Sequence, residues 1–428
     1  MSFKNKLFFS LIIATQSTLV FAQGHGSSPY SSIGIGETAS ETVAAQDMMG
    51  GAGVSFTNSF YVNHLNPALM VKNRSIGFNK YVSLNIGMTG SYKTIAQGNQ
   101  ITDNFGLNMN NFSFVFPIKN KWAMGFSMRP YTVSDYVSTK TIDFVGSSES
   151  KVEEIRNQGG LSRVAFTNSF EIVKGLYFGV DGQYNFGYIS RDTSSNMEGF
   201  STYQRYSSRT NLHGASARTG LAYQQKINKK WKLNFGTMYQ LGNTLKGDQI
   251  RTYSLLSDNG SGPAYVQLPD TLNISNVSSG IPSSYKVGLS LEKTYNWIFA
   301  ADYGKTLWTG VNQFDPNANN TMQDATEMNF GMEWMPNSSS SKYLNQAFYR
   351  FGYKQVQTPY VINGNRVLDN SLSLGISLPL GKVPGYVDLA VMVGRRGKNS
   401  GGQIQENYTK ISMNVSLMSV WFNKQRID

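Results

Sequence analysis

The sequence contains no cysteine, and only 15% of its 428 residues are Asp, Glu, Lys or Arg. Soluble domains average about 25% charged residues. Without cysteine, a disulfide scaffold, a zinc–thiolate site and a thiol nucleophile are excluded. The mean hydropathy of −0.31 excludes a bundle of membrane helices. A chain with too few charges for a soluble protein and too little hydropathy for membrane helices is typical of a transmembrane β-barrel.

The N-terminus predicts a secretory signal peptide. Lys4 and Lys6 precede an apolar run over residues 7–21, and Val20-Phe21-Ala22 supplies small residues at the two positions that determine cleavage. The run is shorter than the roughly 20 residues of a spanning helix. We therefore expect export with cleavage after Ala22, and placement in the outer membrane of a Gram-negative bacterium.

From about residue 74 onwards, apolar residues recur at every second position. Leu372, Leu374 and Ile376 alternate with Ser373 and Gly375. Successive side chains of a strand point to opposite faces of a sheet. One face of each segment is therefore apolar, and the other is small and polar. A soluble sandwich also alternates in this way, so the pattern alone leaves both folds open.

Spacing favours the barrel. We predict fourteen strands, at 74–93, 105–116, 122–132, 161–171, 175–190, 213–226, 231–245, 283–293, 297–305, 325–335, 346–355, 371–380, 385–395 and 408–422. Short connections alternate with long ones, and the long ones include 94–104, 133–160, 191–212, 246–282, 306–324, 356–370 and 396–407. Outer-membrane barrels combine short periplasmic turns with long outer loops. Pro130 is expected to end the third strand.

The tryptophans agree with this orientation. Trp122, Trp231 and Trp297 open strands after short turns, whereas Trp334 and Trp421 close strands. Indole side chains prefer the membrane–water boundary. All five are expected in one aromatic girdle at the periplasmic rim.

Residues 23–73 do not alternate and include a glycine-rich stretch, Gly50-Gly51-Ala52-Gly53. A barrel of about fourteen strands is wider than side chains alone can fill. The sequence therefore predicts three parts: a signal peptide (1–22), an N-terminal hatch (23–73) and an all-β, antiparallel transmembrane barrel (74–428).

The hatch carries a family resemblance. Met49 to Gly53 followed by Asn66-Pro67-Ala68 resembles the hatch of the FadL family of outer-membrane transporters for hydrophobic compounds. Residues 350–353, 359–360 and 372–380 resemble that family's late strand–loop–strand. The start at 28–36 and the end at 421–424 are similar to a Bacteroidota branch, and PorV-like proteins are also similar. The resemblance implies a hatch motif of Gly50, Gly51, Gly53, Asn66 and Pro67, and leaves the ligand-binding residues unknown.

Catalytic chemistry is not expected. The histidines are His25, His64 and His213, and only His213, near Ser216, is a candidate base for a serine nucleophile. The sequence shows no spacing typical of a metal site or a phosphate loop. We predict no enzyme activity, no cofactor, no metal and no nucleic-acid partner.

The charged residues of the inner face are expected to hold the lumen together through ion pairs. They are Arg129, Asp181, Arg218, Lys232, Asp302, Glu333, Arg350, Lys354 and Asp388.

Three functions remain open from the sequence, and the last of them is a simple diffusion pore for small solutes, which requires an unblocked lumen. The first is passive uptake of a hydrophobic, lipid-like compound through an apolar pocket beneath the outer loops. The second is a non-transporting accessory barrel of an outer-membrane secretion or assembly complex. The expected partners are membrane lipids, a hydrophobic small molecule and, for the second function, other outer-membrane proteins.

Overall fold

The computed structural model describes residues 28–76, 79–144, 149–197, 199–258, 262–315, 318, 322–381 and 384–420. They form a closed antiparallel barrel with fourteen strand positions, so the predicted fold class is confirmed. The last strand, β19 (Gln405–Ser419), pairs with the first wall strand, β4 (Val82–Gln97), and closes the cylinder. The signal peptide and Trp421 lie outside the described residues.

The other wall strands follow in chain order: β5 (Gln100–Lys119), β6 (Trp122–Asp143), β7 (Ser150–Val173), β8 (Leu176–Met197), β9 (Thr202–Lys226), β10 (Lys232–Gln240), β11 (Asn243–Asp258), β12 (Pro263–Ile281), β13 (Ser283–Lys293), β14 (Trp297–Leu307), β15 (Ala325–Trp334), β16 (Phe348–Ile362), β17 (Asn365–Pro379) and β18 (Gly385–Arg396). A short 3-10 helix, Tyr343–Gln346, precedes β16.

Alternation gives the wall its two faces. On β17, Leu372 and Leu374 are exposed on the outer face, whereas Ser371 and Ser373 are buried on the inner face. A bilayer offers no hydrogen-bonding partners to the backbone, and a closed ladder satisfies its polar groups internally. Among the described residues, no helix is long and apolar enough to cross a membrane.

Two strand positions consist of two pieces each. β10 and β11 together line β9, since Gln240 pairs with Arg218 and Lys246 with His213. β12 pairs with β11, and β13 pairs with β10 and β14. Pro282, which has no amide donor, separates β12 from β13.

Five predicted loops are largely strand. Residues 94–104 and 356–370 belong to the hairpins β4–β5 and β16–β17, and residues 133–160, 191–212 and 246–282 are mostly occupied by the outer ends of β6–β9, β11 and β12. A strand needs only about ten residues to cross the bilayer. Beyond the bilayer, a hairpin keeps its backbone ladder but no longer needs an apolar outer face. The alternation therefore ends near the bilayer boundary, whereas the strands continue beyond it.

Pro130 does not end the third strand. β6 continues to Asp143, and its register against β7 shifts between Pro130 and Thr132. Proline is tolerated where a strand lacks a partner on one side. From Pro130 outwards, β6 has no ladder with β5.

The wall is much taller on one side than on the other. β6 to β9 contain 22 to 25 residues, whereas β14 and β15 contain 11 and 10. We name the projecting part the crown sheet. It consists of residues 130–143, 150–162, 187–197, 202–213, 243–258 and 263–281. Its strand order is β6-β7-β8-β9-β11-β12.

The end with short turns carries the aromatic residues. Trp122 and Trp297 begin β6 and β14, and Trp334 ends β15. The rings of Trp297 and Trp334 stack with centroids 5.7 Å apart. Trp231 lies directly before β10 at the same end. Trp308, the sixth tryptophan, is buried near the outer end instead.

The N-terminal segment from Ser28 packs against the inner face of the wall. It contains a 3-10 helix (Pro29–Ser32), β1 (Glu37–Thr38), α1 (Ala44–Asp47) and a second 3-10 helix (Pro67–Arg74). The short strands β2 (Ser75–Ile76) and β3 (Asn79–Lys80) lead into β4. The division at residues 22 and 73 stays a prediction.

Candidate functional site

The wall has an opening between its second and third strand positions. β5 pairs with β6 only over residues 112–119, opposite residues 122–128. Farther out, β5 residues 100–111 pair with β4 alone, and β6 pairs with β7. No ladder among the described residues joins the outer halves of β5 and β6. We call this gap the side opening.

A cavity of about 380 Å³ lies in the lumen behind the side opening. Asn108 and Asn110 from β5 line it, and so do Pro130, Tyr131 and Val133 from β6. Both rims of the side opening therefore border one cavity. Its volume is within the range of small-molecule sites, roughly 300–1,000 Å³.

An apolar cluster covers the cavity on its outer side. Tyr30 and Ile35 from the N-terminal segment meet Trp308 and Met322 from the connection between β14 and β15. The rings of Tyr30 and Tyr360 stack with centroids 5.4 Å apart. Tyr131, Trp308 and Tyr360 of this cluster also line the cavity, so the cluster forms part of its wall.

The N-terminal segment closes the route towards the short turns. The backbone N–H groups of Gly53 and Val54 donate to the Asp302 carboxylate at 2.7 and 2.9 Å. The Val71 N–H donates to Ser169 Oγ at 3.0 Å. Wall strands far apart in sequence thus fix this segment from several sides.

Glu41 forms the largest charge cluster in the lumen. Its carboxylate lies 2.6 Å from Arg218, 2.9 Å from Arg163 and 3.8 Å from Arg129. Burial alone would raise the pKa of Glu41, but these guanidinium groups, Arg218 foremost, hold that pKa well below its usual range. Three buried cations therefore depend on one hatch carboxylate, which makes Glu41 an electrostatic anchor.

A second anchor lies four residues earlier. Glu37 lies 2.6 Å from Arg396, which also pairs with Asp369 at 3.1 Å and with Glu406 at 3.4 Å. Ser28 Oγ donates to Glu406 at 2.6 Å. Burial opposes ionisation of Glu37, yet the Arg396 charge keeps its pKa below the usual range. The segment around β1 is thus tied to opposite sides of the lumen.

The cavity differs from the apolar pocket that the sequence analysis expected. Apolar groups such as Leu65, Tyr131 and Met238 line part of it. Charged side chains line the rest: Lys93, Arg163, Arg218, Lys286, Lys354, Arg396, Lys410, Glu37, Glu41, Asp47, Glu327 and Asp369. The lining therefore suits an amphipathic molecule better than a pure hydrocarbon.

The predicted glycines of the hatch motif lie where the hatch touches the wall. A Cβ on Gly50, at φ +65°, would lie 2.6 Å from the Tyr353 carbonyl oxygen. Gly51 borders the cavity and also has a positive φ. A Cβ on Gly53 would lie 2.5 Å from the Gln46 amide. Close backbone approach therefore requires glycine at 50, the positive φ favours it at 51, and the Gln46 side chain leaves little room at 53.

Asn66 and Pro67 occupy a second such contact. The Asn66 amide donates to the Val54 carbonyl at 2.8 Å and to the Leu221 carbonyl at 3.1 Å. The Pro67 carbonyl lies against Gly179. The five motif residues thus contact the scaffold, and their assignment as a functional motif stays a prediction.

The histidines give no catalytic arrangement. His213 is exposed on the outer face of β9, whereas Ser216 is buried on the inner face and bonds to Gln183. His64 is buried in the hatch, where burial and the charge of Arg129 lower its pKa to about 3. His25 lies outside the described residues.

The inner-face charges were predicted to pair, and several do. Arg350 Nε donates to Glu333 at 2.6 Å, and Asp388 lies 3.9 Å from the same guanidinium. The sequence analysis did not single out Glu37, Glu41 or Arg163. The sequence does contain a signal for Glu37 and Glu41, because they are acidic residues in a stretch with few charges. The distant arginines that bind them could not be identified from spacing.

Comparisons with known proteins support the same fold. A structure of the Pseudomonas putida toluene transporter TodX is 15% identical, with a TM-score of 0.52, over 90% of this chain and 99% of that one. A Pseudomonas aeruginosa FadL homologue is 14% identical, with a TM-score of 0.51. The match covers 91% of this chain and 100% of that one. A TodX deltaS2S3 mutant, titled a monoaromatic hydrocarbon channel, is 16% identical, with a TM-score of 0.57. The match covers 89% of this chain and 99% of that one.

The predicted FadL-type architecture is thereby confirmed, whereas the Bacteroidota branch stays a prediction. Curated proteins give no sequence match to this chain. The model of the family described as BamG matches residues 4–428, nearly the whole sequence. The chain is therefore a member of the BamG family.

Proposed function

We propose that the protein allows a hydrophobic, lipid-like compound to cross the outer membrane passively, and that the compound leaves the lumen through the side opening. The observation that carries this proposal is that both rims of the side opening line one lumen cavity. The likeness in fold to TodX and to a FadL homologue supports a channel of this class. No catalytic step is part of the proposal.

The side route is favoured because the axial route is obstructed. Gly53, Val54 and Asn66 bond to the wall or to each other below the cavity. A compound with an apolar body gains about 25 cal/mol for each Å² that it transfers from water into lipid. Transfer of the compound from the external water to the bilayer is therefore downhill overall and needs no energy source.

The mixed lining indicates how such a compound would be held. Apolar side chains such as Tyr131 and Met238 would contact its body, and the charged groups opposite them would contact a polar end. A hydrogen-bonded polar group avoids the cost of burial without a partner. We therefore expect an amphipathic compound to pass more readily than a hydrocarbon of equal size.

The test uses a bulky residue inside the cavity. Ala39→Trp places an indole beside Tyr131 at the side opening, because Ala39 lines the cavity and its N–H donates to the Tyr131 carbonyl at 2.9 Å. Leu374→Trp, on the outer face of β17 and away from the side opening, is the matched control. Uptake of radiolabelled oleate and toluene is measured in cells that lack the chromosomal copy and express each variant.

Wild type and Leu374→Trp should raise the uptake rate, and Ala39→Trp should lower it several-fold at equal amounts of folded protein. Faster uptake of oleate than of toluene supports the amphipathic ligand. Equal uptake with Ala39→Trp and wild type, or no increase from wild type, overturns the proposal.

A second candidate function remains because the lumen is so strongly charged. Glu37 and Glu41 fasten the hatch to the wall, which is what a non-transporting accessory barrel in an outer-membrane complex would need for rigidity. Purification in mild detergent separates the two functions. Bound lipid supports the channel, and stoichiometric protein partners without bound lipid support the accessory barrel.

A further inference from the structure

The crown sheet is an open sheet and therefore has two edges. One is the outer part of β6, from Pro130 to Asp143, where the ladder with β5 is absent. The other is β12, which forms a long ladder with β11 alone. An edge strand presents a row of backbone N–H and C=O groups that can pair with another strand.

The chain covers the β6 edge itself. The Ser28 N–H donates to the Asp135 carbonyl at 2.9 Å, and the two strand residues of β1 pair with Thr132 and Val133. Ser31 Oγ also bonds to the Asp135 backbone, on both its N–H and its carbonyl. An extended segment of the hatch thus occupies this edge.

The β12 edge is covered only at its base. The neighbouring wall strand, β14, ends at Leu307 opposite Ser283. The Gly280 N–H donates to the Asn312 carbonyl at 2.7 Å. Farther out, no hydrogen bond between described residues joins the free side of β12 to another backbone. The segment 271–278 therefore has an open edge.

This edge has little of the usual protection against pairing. One register shift with β11 leaves Leu272 unpaired, and the ladder is regular from Asn273 to Ile281. Exposed edge strands are normally kept short or carry lysine or proline. β12 has 19 residues, and its charged residue, Asp270, lies outside 271–278, as do Pro263 and Pro269. Leu272 is 57% exposed and Ile274 is 65% exposed. The segment combines a free backbone edge with apolar side chains that have little cover.

We propose that the β12 edge at 271–278 binds an extended strand of a partner protein outside the membrane. A row of alternating N–H and C=O groups is satisfied in full only by another extended backbone. The partner strand would place apolar side chains beside Leu272 and Ile274 and would need no complementary charge. The covered β6 edge is an example of such occupancy within the same sheet.

A second copy of this chain is a poorer occupant. Two copies in one bilayer have the same orientation, so their β12 strands run in the same direction. Antiparallel pairing of the two edges would require a two-fold axis perpendicular to the strands, which would invert one copy in the membrane. We therefore commit to a different protein as the partner, and the inference holds for either function considered above.

The absence of cysteine from the sequence makes the test site-specific. Each position from 271 to 278 is changed to cysteine singly in the full-length protein and labelled on intact cells with a thiol-reactive benzophenone. After irradiation, the adducts are mapped by mass spectrometry. Cysteines at 191–195 of β8 serve as matched controls, because that part of the crown sheet pairs on both sides.

Support requires one partner protein whose cross-linked residues advance by about one for each step along β12, with at least ten-fold less adduct from β8. Adducts with a second copy of this chain, scattered sites on many proteins, or only lipid overturn the proposal. In the variant labelled at 272, Asn276→Pro should lower the adduct yield at least ten-fold. Ile274→Lys provides a second blunted edge if the proline variant does not fold, and an unchanged yield with it overturns the proposal.

Discussion

The two edges of the crown sheet have the same backbone chemistry but opposite surroundings. The β6 edge is covered by the hatch, and two anchors, Glu37 and Glu41, hold that cover in place. The β12 edge at 271–278 has no such cover among the described residues and carries exposed Leu272 and Ile274. An edge that is closed within the chain contributes to folding, whereas an open edge contributes only when something binds.

This difference predicts where the molecule tolerates change. Residues that hold the cover on β6 should control the stability of the hatch. Residues on the open edge of β12 should leave stability nearly unchanged and affect association alone. Each prediction below tests one side of this contrast.

The largest effect is expected from Glu41→Ala. Loss of the carboxylate leaves Arg129, Arg163 and Arg218 buried without their shared partner, which costs about 3–5 kcal/mol of the free energy of unfolding. Urea unfolding of the protein in detergent micelles, followed by tryptophan fluorescence, measures the change.

Glu154→Ala is the control, since Glu154 forms only an exposed ion pair with Arg156 on β7, and such a pair contributes little. A midpoint for Glu41→Ala within error of that control would show that the three arginines find other partners. The contrast between the two edges would then lose its electrostatic basis.

Acid should loosen the covered edge. The pKa of His64 is lowered to about 3 by burial and by Arg129, so the unfolded chain takes up a proton near pH 6.5 and the folded chain does not. Stability therefore falls below pH 6.5, at up to about 1.4 kcal/mol per pH unit, until the folded state is protonated near pH 3. Glu41 adds to this loss of stability only below about pH 4.5. There the unfolded chain protonates this carboxyl, whereas its lowered pKa keeps it ionised in the folded state.

The difference between wild type and His64→Gln isolates the contribution of His64 between pH 6.5 and 4.5, because the glutamine amide does not titrate. Across this window, the unfolding midpoint of wild type should fall relative to that of His64→Gln. Parallel curves for the two proteins would contradict the assignment.

A smaller effect is expected from Gly36→Ala, just before β1. Gly36 has φ +94°, and an added Cβ would lie 2.6 Å from the Val133 carbonyl oxygen, so β1 must move away from β6. Strain of this kind costs about 1–3 kcal/mol. Gly182→Ala is the control, because an added Cβ there meets no atom within 4 Å. Hydrogen exchange at the Ala39 amide should accelerate in the first variant alone.

How much of this could be anticipated depends on distance along the chain. The barrel and its fourteen strands follow from period-two alternation, because lipid and lumen impose opposite polarity on adjacent side chains. The crown sheet could not be predicted from alternation, because both of its faces tolerate polar residues outside the bilayer. The sequence therefore predicts a loop at 246–282, where β11 and β12 pair as antiparallel strands.

The candidate site was harder to predict from the sequence than the fold. Pro130 was recognised as an interruption, but a proline that ends a strand and a proline on an unpaired edge leave the same local pattern. The contact of Glu41 with Arg129, Arg163 and Arg218 joins residues 88 to 177 positions apart. Such contacts form only when the barrel closes, so the spacing of residues in the sequence does not predict them.

The smallest change in stability is expected at the open edge, and it is the sharpest test of the contrast. Ile274→Lys on β12 removes no covered contact, so the free energy of unfolding should stay within about 0.5 kcal/mol of wild type. Ser31→Ala on the covered edge removes two hydrogen bonds to Asp135 and should cost about 1–2 kcal/mol. Both proteins are compared by urea unfolding. If Ile274→Lys proves as destabilising as Ser31→Ala, the outer part of β12 is packed within the chain after all, and it is not free to receive a strand.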